Sequence, residues 1–215
     1  MDNILYTIGH SQHKIEEFAK MLKAYKINYV LDVRSTPYSQ FAPVYNMESI
    51  KNCLKKFSIQ YVFMGKNFGA RQKEDSLYCK EGYLDFEKVR NSINFRNGVN
   101  NVLKGISEGN RIVLMCTEKD PIECHRAIMV AKAFSESGIN VEHIMSDGTL
   151  QSHADLNKRL LDMYFPNRNQ ISLFTEDNLS EDECLTLAYQ YQNKKIGYRK
   201  QESILILDKV QNAAT

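Results

Sequence analysis

The segment that follows residues 111–116 brings several reactive side-chain types into one short stretch. Cys116, Glu118, Cys124 and His125 supply two thiols, a carboxylate and an imidazole, and Arg126 follows them at the head of a helical pattern. A thiol beside cations or at a helix N-terminus ionises more readily than a free thiol. The segment therefore predicts a reactive loop in which Cys116 or Cys124 is a candidate nucleophile, although an unpaired cysteine is equally typical of a buried core.

The spacing within this loop argues against the anion cradle of cysteine phosphatases. That cradle is short and offers main-chain N–H groups and an arginine to the anion. Here ten positions separate Cys116 from Arg126, and Glu118, Asp120 and Glu123 place negative charge between them. We therefore do not predict a phosphatase-type loop.

Metal binding is a second interpretation of the same residue types. His10 and His13 lie three positions apart, and further ligand types for zinc are supplied by Asp32, Cys116, Glu118, Cys124 and His125. No Cys-x-x-Cys or His-Glu-x-x-His spacing accompanies them. We accordingly predict no cofactor, and a metal ion is a weakly supported alternative.

Anion binding with acid–base catalysis is a third interpretation, and the one that we favour. Guanidinium groups bind phosphate or carboxylate through paired N–H donors, and a carboxylate or imidazole nearby supplies general acid–base chemistry. The predicted acid–base groups are His10, Asp32 and Glu118. The predicted substrate contacts are Ser11, Arg34, Arg71, Tyr83, His125 and Arg126. The simpler alternative is that the carboxylates and arginines form ion pairs that hold the loops.

The elements that must position these groups are short apolar runs, each followed by polar residues. Runs at residues 4–8, 29–31, 61–64, 111–116 and 141–144 have the composition of buried strands, with helical periodicity between them. This alternation predicts a three-layer, Rossmann-like α/β fold with a mainly parallel sheet of about five strands and helices on both faces. Ligands bind such sheets at the carboxyl ends of the strands.

The rest of the chain is divided by its helical patterns. We predict an α/β domain over residues 1–165 and a C-terminal extension over residues 166–215, which packs on the core or covers a partner subunit. The extension contains a helical pattern and a final apolar run at residues 204–207. Residues 86–109 predict one or two helices interrupted at Asn97-Gly98. The long connection at residues 66–85 is a candidate lid, since loops of this length are usually functional or disordered.

Composition narrows the functional classes. The net charge of +2, from 28 basic and 26 acidic side chains, does not indicate a large positive electrostatic field that would attract nucleic acid nonspecifically. The five cysteines lack paired short spacings and the N-terminus lacks a secretion signal, so we expect a cytoplasmic protein. No apolar run approaches the roughly 20 residues that a membrane span needs, so no membrane partner is expected.

Five motifs, in order along the chain, resemble those of one protein family. They are Thr7-Ile8-Gly9-His10-Ser11, Asp32-Val33-Arg34-Ser35 with Pro37, Phe68-Gly69-Ala70-Arg71, Cys116-Thr117-Glu118 with Pro121 and Cys124-His125-Arg126, and His143-Ile144 with Asp147-Gly148. Over roughly residues 5–161 the chain thereby resembles the family catalogued as domain of unknown function 488. The family pattern at the third motif is Leu-Gly-Gly-Arg, from which Phe68 and Ala70 depart. The resemblance implies which residues form the site and assigns no reaction.

These observations predict an enzyme, a hydrolase or group transferase acting on a phosphate-bearing nucleotide or nucleic-acid component. Its expected partner is then a phosphate-bearing small molecule or nucleic acid. The sequence is also compatible with a homodimer. The alternative is a non-catalytic module that binds nucleic acid or protein through the same rim and the basic, tyrosine-rich C-terminal tail. An open pocket at the rim favours the enzyme, whereas a filled rim beside a basic face favours the module.

Overall fold

A six-stranded sheet forms the centre of the protein, whose computed structural model describes residues 3–10, 13–168 and 179–200. The strand order is β3-β2-β4-β1-β5-β6, and all pairings are parallel except that of β5 with β6. The strands are β1 (Ile4–Gly9), β2 (Tyr29–Asp32), β3 (Gln60–Phe63), β4 (Ile112–Cys116), β5 (Asn140–Ile144) and β6 (Leu150–Ser152). The predicted α/β fold with a mainly parallel sheet is confirmed.

The burial of each strand follows its place in the sheet. All five residues of β4 are buried, as are the last five of β1, because helices cover both faces of the central strands. At the edge, β3 alternates, with Gln60 and Val62 exposed. The apolar runs of the sequence therefore correspond to β1–β5.

The sixth strand lies outside the five that the sequence predicts. Leu150–Ser152 is only three residues long and contains one apolar side chain, so it carries no periodic signal. An Asp-Gly turn folds it against β5, with Gly148 at φ +84° and the Thr149 N–H donating to Asp147 Oδ1 at 2.9 Å. The dipeptide Asp147-Gly148 is a hairpin signal rather than a group directed at the site.

Helices cover both faces of the sheet, as the three-layer prediction requires. One face carries α1 (Ile15–Ala24) and α2 (Met47–Lys56), which bury Phe18, Leu22, Ile50 and Leu54 against the strands. The other face carries α3 (Gly65–Phe68), α4 (Phe86–Asn91), α5 (Ile93–Ser107), a π-helical segment (Arg126–Ala131) that continues into α6 (Lys132–Glu136), α7 (His153–Tyr164) and α8 (Glu181–Ile196).

The break between α4 and α5 falls at Ser92, so the predicted position at Asn97-Gly98 is wrong. The Ser92 side chain accepts from the Phe95 N–H and begins a new helix, as serine does at N-caps. Gly98 instead lies inside α5, where a Cβ would stand 2.8 Å from the Asn67 Cβ and 3.0 Å from the Phe68 ring. Close packing, not a turn, therefore requires this glycine.

The described part of the C-terminal extension packs on the core through α8. Gln192 Nε2 donates to the Ile122 oxygen at 2.7 Å, and Asn193 donates to Leu84 and accepts from the Phe86 N–H. The predicted apolar run at residues 204–207 lies outside the described residues. Within the described ranges no helix has the length and apolar character needed to cross a membrane.

Candidate functional site

The carboxyl ends of β1, β2 and β4 lie side by side at one edge of the sheet. Cys116 at the end of β4 pairs with Gly9 of β1, and Met115 pairs with Asp32 of β2. The His10 N–H donates to the Cys116 oxygen at 2.9 Å. The chain leaves β1 toward α1 on one face and β4 toward the π-helical segment on the other. This divergence makes a topological switch point, where open α/β sheets bind ligands.

A buried ion pair occupies the end of β2. Arg34 Nε donates to Asp32 Oδ1 at 2.9 Å, and Arg34 Nη2 lies 2.5 Å from Asp32 Oδ2. The Tyr61 hydroxyl donates to the same Oδ2 at 2.7 Å, and Arg34 Nη2 also donates to the Tyr45 oxygen at 2.9 Å. Most of the hydrogen-bonding capacity of this pair is therefore used inside the protein.

His10 extends this buried group toward β1. Its ring stacks on Tyr45 at 4.1 Å between centroids, and its Nε2 lies 3.2 Å from Arg34 Nη1. Because a guanidinium only donates, Nε2 accepts and the imidazole hydrogen is on Nδ1, which has no hydrogen-bond partner among the described residues. Burial and the positive charge of Arg34 lower the pKa of His10 to about 4. His10 is thus a neutral, fixed imidazole at pH 7.

The loop after β4 gathers four reactive side chains, which we call the thiol cluster: Cys116, Glu118, Cys124 and His125. Glu118 Oε2 accepts from the Cys116 thiol at 3.0 Å and from the Cys124 thiol at 2.8 Å. His125 Nδ1 lies 3.8 Å from the Cys116 sulfur and 4.0 Å from the Cys124 sulfur. All four reactive atoms lie within 4.8 Å of one another. The two thiols and the imidazole are buried, whereas Glu118 is an exposed residue whose carboxylate contacts them.

The members of the thiol cluster have different ionisation tendencies. Burial raises the pKa of Cys116 well above that of a free thiol, and the neighbouring Cys124 and Glu118 raise it further. Burial would also raise the pKa of Cys124, but the hydrogen bond with Cys116 and the positive charge of Arg126 lower it well below the ordinary value. Burial raises the pKa of the Glu118 carboxyl, and the charge of Cys124 adds to this. Cys124 is therefore the thiol that ionises first.

His125 links the thiol cluster to the strand beside it. Its Nε2 lies 3.0 Å from the main-chain oxygen of Val33, which only accepts, so Nε2 carries the hydrogen. Burial lowers the pKa of His125, but the hydrogen bond with Cys124 and the charge of Cys124 outweigh this and raise it above its ordinary value. In the neutral ring Nδ1 carries the lone pair, which faces the sulfurs of Cys116 and Cys124. This tautomer is the one that a histidine needs to accept a proton or bind a metal ion through Nδ1.

Arg126 is fully buried and holds the loop together. Its Nη1 donates to the Glu118 oxygen at 2.7 Å and its Nη2 to the Lys119 oxygen at 3.3 Å, while its main-chain N–H donates to the Cys124 sulfur at 3.4 Å. The same Glu118 carbonyl approaches β1 so closely that a Cβ on Gly9 would stand 1.9 Å from it. Arg126 and Gly9 together therefore fix where the Glu118 main chain runs.

The remaining predicted substrate contacts lie apart from this group or outside the described residues. The Arg71 N–H donates to Ser35 Oγ at 2.8 Å, which fastens it to the loop after β2, and its exposed guanidinium lies over the Tyr198 ring at 5.0 Å. Tyr83 packs against Arg199 in the segment after α8. Ser11 is not among the described residues.

The structure therefore brings eight of the predicted residues to one edge of the sheet: His10, Asp32, Arg34, Cys116, Glu118, Cys124, His125 and Arg126. Most of them are buried and bonded to one another, so this part of the rim is filled by its own side chains. Of the eight, Glu118 is the exposed residue, and Arg71, which lies apart and is fastened to the loop after β2, is exposed as well.

Sequence reasoning does not find a second buried polar chain beyond β1. Thr7 Oγ1 bonds His143 Nδ1 at 2.7 Å, His143 Nε2 bonds His153 Nδ1 at 3.0 Å, and His153 Nε2 bonds the Tyr189 hydroxyl at 3.0 Å. The Tyr189 hydroxyl donates to Asn157 at 2.6 Å, which assigns one proton to each bond of the chain. His143 has a family motif as its signal, but nothing in the sequence indicates the role of His153 or Tyr189.

The thiol cluster is also the group in the described part of the chain whose residue types and distances suit a metal ion. Thiolates and an imidazole are zinc ligands, and a carboxylate completes a four-coordinate set. The metal ligands considered from the sequence included His10, His13 and Asp32, and the first and last of these belong instead to the buried group with Arg34.

Comparison with known proteins gives one match. A protein-family model described as Domain of unknown function DUF488 matches residues 14–133, which is a little over half of the 215 residues. Neither the curated proteins nor the solved structures contain a match.

Proposed function

Because the chain belongs to the DUF488 family, whose description assigns no reaction, we propose from the geometry alone that it is a hydrolase or group transferase centred on the thiol cluster. The observation that carries the proposal is the convergence of two thiols, an imidazole and a carboxylate within 4.8 Å at a topological switch point. Such a convergence of titratable groups with displaced pKa values is typical of catalytic sites.

Glu118 is the proposed acid–base group. It is the exposed residue of the thiol cluster, and burial of its carboxyl end against the two thiols raises its pKa toward the value that general acid–base catalysis favours at neutral pH. In the proposed hydrolysis a water oxygen forms the new bond, the bond to the leaving group breaks, and Glu118 takes a proton from the water and delivers it to the leaving group. In group transfer a substrate hydroxyl takes the place of the water.

A phosphate-bearing substrate, a nucleotide or nucleic-acid component, fits the charges around the site. Arg34 and Arg126 are buried cations whose N–H donors mostly bond inside the protein, so we assign them to holding the loops and to supplying a positive field. Arg71 is exposed and is fastened to the loop after β2, so it is the proposed direct contact to the phosphate.

A turnover screen tests this function. The protein is incubated with nucleotides, phosphoesters and oligonucleotides, and products are followed by mass spectrometry for the parent, Glu118→Gln and Glu108→Gln. Glu108 is the matched control, because it is an exposed glutamate near the amino end of β4, at the opposite edge of the sheet. We expect Glu118→Gln to lower turnover about 100-fold or more and Glu108→Gln to leave it unchanged. Equal turnover in all three proteins contradicts the proposal.

A second candidate is the binding module, which is favoured by the filled rim and by one surface beside it. Three cations lie over three tyrosine rings at 4.5 to 5.2 Å, an arrangement that suits stacked bases and phosphates. The pairs are Arg71 with Tyr198, Arg199 with Tyr83, and Lys200 with Tyr78. Asp75 and Glu81 pair with lysines on the same surface and reduce its positive charge, so we rank this function below the enzyme.

Binding of single-stranded oligonucleotides separates the two candidates. If the module is correct, Arg199→Ala and Tyr83→Ala weaken binding and lower its salt dependence, whereas Glu118→Gln has no effect. If the protein is the enzyme, Glu118→Gln lowers turnover, whereas Arg199→Ala and Tyr83→Ala leave turnover unchanged. Fluorescence anisotropy at two salt concentrations measures the binding.

A further inference from the structure

We infer that Cys116, Cys124 and His125 bind a divalent metal ion of the zinc type, whose fourth coordination position is left to water or a substrate atom beside the Glu118 carboxylate. The inference rests on the proposed function, because it names the cofactor of the same site. When bound, the ion would supply a Lewis acid that activates water beside Glu118. The arguments below use the chemistry of the donors, their geometry, their orientation and their charge.

The donor set itself selects the class of metal. Two sulfur ligands and an imidazole suit zinc and related soft or borderline ions, whereas magnesium and calcium prefer oxygen ligands. Two thiols with one imidazole, leaving a fourth position for a carboxylate or water, is a combination found in catalytic zinc sites. Cys116, Cys124 and His125 match this combination within one loop.

The distances suit a tetrahedral site. Zn–S bonds of about 2.3 Å and Zn–N or Zn–O bonds of about 2.0 Å give ligand-to-ligand edges of roughly 3.5 to 3.8 Å. The two edges from His125 Nδ1 to the sulfurs are 3.8 and 4.0 Å, and the edges from Glu118 Oε2 are 3.0 and 2.8 Å. The imidazole edges exceed the ideal sulfur–nitrogen edge of about 3.5 Å by a few tenths of an ångström, whereas Glu118 Oε2 lies closer to both sulfurs than this, so its carboxylate has to move outward when an ion binds.

The orientation of His125 is the independent observation that points to a ligand. The hydrogen bond from Nε2 to the Val33 oxygen fixes the ring with Nδ1, the atom that would bind the ion, directed at both sulfurs. Histidines that bind metals are fixed in this way, with the other ring nitrogen donating to a carbonyl or carboxylate.

The charges balance around such an ion. Two thiolates and a carboxylate carry three negative charges, and a divalent ion leaves one. The fully buried Arg126 guanidinium lies in the same loop, and it forms no ion pair with any carboxylate of the described residues. Its positive charge offsets the remaining negative one. As the metal bonds form, the protons held by the two sulfurs and by His125 Nδ1 leave to solvent.

Metal content of the full-length protein provides the test. The protein is purified under reducing conditions, stripped with chelator, reloaded with zinc and desalted, and metal is counted by mass spectrometry. We expect about one zinc ion per chain in the parent. Cobalt(II) loading of the same protein is expected to give tetrahedral visible bands and thiolate-to-cobalt charge-transfer bands, which report sulfur ligation without any measurement of activity.

Variants assign the ligands. Cys116→Ser, Cys124→Ser and His125→Gln are expected to lose the charge-transfer bands or to bind zinc at least about 10-fold more weakly. Gln at position 125 has an amide that still reaches the Val33 oxygen, so this variant removes the ligand while keeping the hydrogen bond. Cys184→Ser is the matched control, because Cys184 is also a buried free cysteine but lies on α8. Circular dichroism identifies any variant that fails to fold. If a cysteine variant fails to fold, metal binding by His125→Gln decides whether the cluster holds the ion.

Several outcomes overturn the inference. The first is that the parent takes up no stoichiometric zinc or cobalt. The second is that Cys124→Ser and His125→Gln bind the metal as well as the parent does. A Cys116–Cys124 disulfide that re-forms on reloading, detected by intact mass and accompanied by no metal uptake, also overturns it. Failure of the proposed function is distinguishable: zinc bound without turnover of any substrate contradicts only the reaction, and turnover by fully stripped protein contradicts only the metal.

Discussion

His125 donates from Nε2 to the main-chain oxygen of Val33 at 3.0 Å, and this bond fastens the loop after β4 to the residue that follows β2. The two residues are 92 positions apart in sequence. Both partners are buried, so the bond sets the direction of the imidazole lone pair and leaves no room for water to replace it. The geometry of the thiol cluster therefore depends on the pairing of β2 with β4.

Replacing His125 tests this dependence. His125→Ala removes the donor, leaves the Val33 oxygen buried without a partner and opens a cavity, so we expect a loss of about 2 to 4 kcal/mol in the free energy of unfolding. His125→Gln keeps an N–H donor at this distance and is expected to lose less than half as much. Urea denaturation followed by circular dichroism measures both. Equal losses in the two variants would show that the Val33 bond contributes little.

Gly9 provides a test of the close approach between β1 and the Glu118 main chain. In Gly9→Ala the new Cβ would meet the Glu118 oxygen at 1.9 Å, so one backbone must move, and we expect a loss of about 3 kcal/mol. Gly105→Ala is the control. Gly105 lies within α5, and a Cβ there would meet only the flexible end of the Ile112 side chain, at 3.1 Å. Since alanine favours a helix over glycine, Gly105→Ala is expected to be neutral or stabilising by up to about 1 kcal/mol. The reverse ranking would contradict the described path of the loop.

The buried pair of Asp32 and Arg34 gives a third prediction. Asp32→Asn leaves the Arg34 charge buried without its partner, and we expect it to lower the free energy of unfolding by about 3 to 5 kcal/mol. Combining it with Arg34→Leu removes the uncompensated charge, so the double variant should be less destabilised than the sum of the single variants. A strictly additive double-mutant cycle would mean that the two side chains do not interact.

The buried histidine chain predicts a loss of stability in acid. Burial lowers the pKa of His153 to about 4, with the charge of Lys132 adding to this, and burial also lowers the pKa of His143 well below its ordinary value. In the unfolded chain each imidazole protonates near its ordinary pKa of about 6.5. Between these values the unfolded state binds more protons, so stability is full above pH 6.5 and falls as the pH decreases toward 4.

Comparison with His153→Gln isolates this contribution. Each histidine contributes a slope of up to about 1.4 kcal/mol per pH unit across this window. The parent should therefore lose stability more steeply than His153→Gln between pH 6.5 and 4, whereas the two curves should run parallel above pH 7. Thermal melts across this pH range measure it, and parallel curves below pH 6 would mean that His153 is already charged in the folded protein.

The secondary structure could be predicted from the sequence to the extent that it follows local periodicity. The runs that became β1 to β5 are apolar because helices cover both faces of a parallel sheet, and that pattern is visible without coordinates. Leu150–Ser152 carries no such pattern, since a three-residue edge strand forms through its Asp-Gly turn and its partner. The break at Ser92 and the packing role of Gly98 depend on neighbours that local sequence does not reveal.

The candidate site could be predicted as a set of residues, but not as a set of contacts. Parallel strands bring their carboxyl ends to one edge, so His10, Asp32, Cys116 and Cys124 were expected near one another. The role of Arg34 and Arg126 as anion contacts stays a prediction, and both side chains are buried and bonded within the protein. Nothing in residue type distinguishes an arginine that faces solvent from one that holds a loop.

By itself the sequence determined the fold class and the residues at the carboxyl edge of the sheet, because burial imposes a repeating pattern on each strand and each helix. Only the tertiary structure decided which polar groups pair: His125 with Val33, Glu118 with two thiols, and His153 with Tyr189. Hydrogen bonds and metal coordination depend on atoms placed within a few tenths of an ångström by strand register and helix packing. Those positions are set by contacts between residues far apart in the chain, which no local pattern encodes.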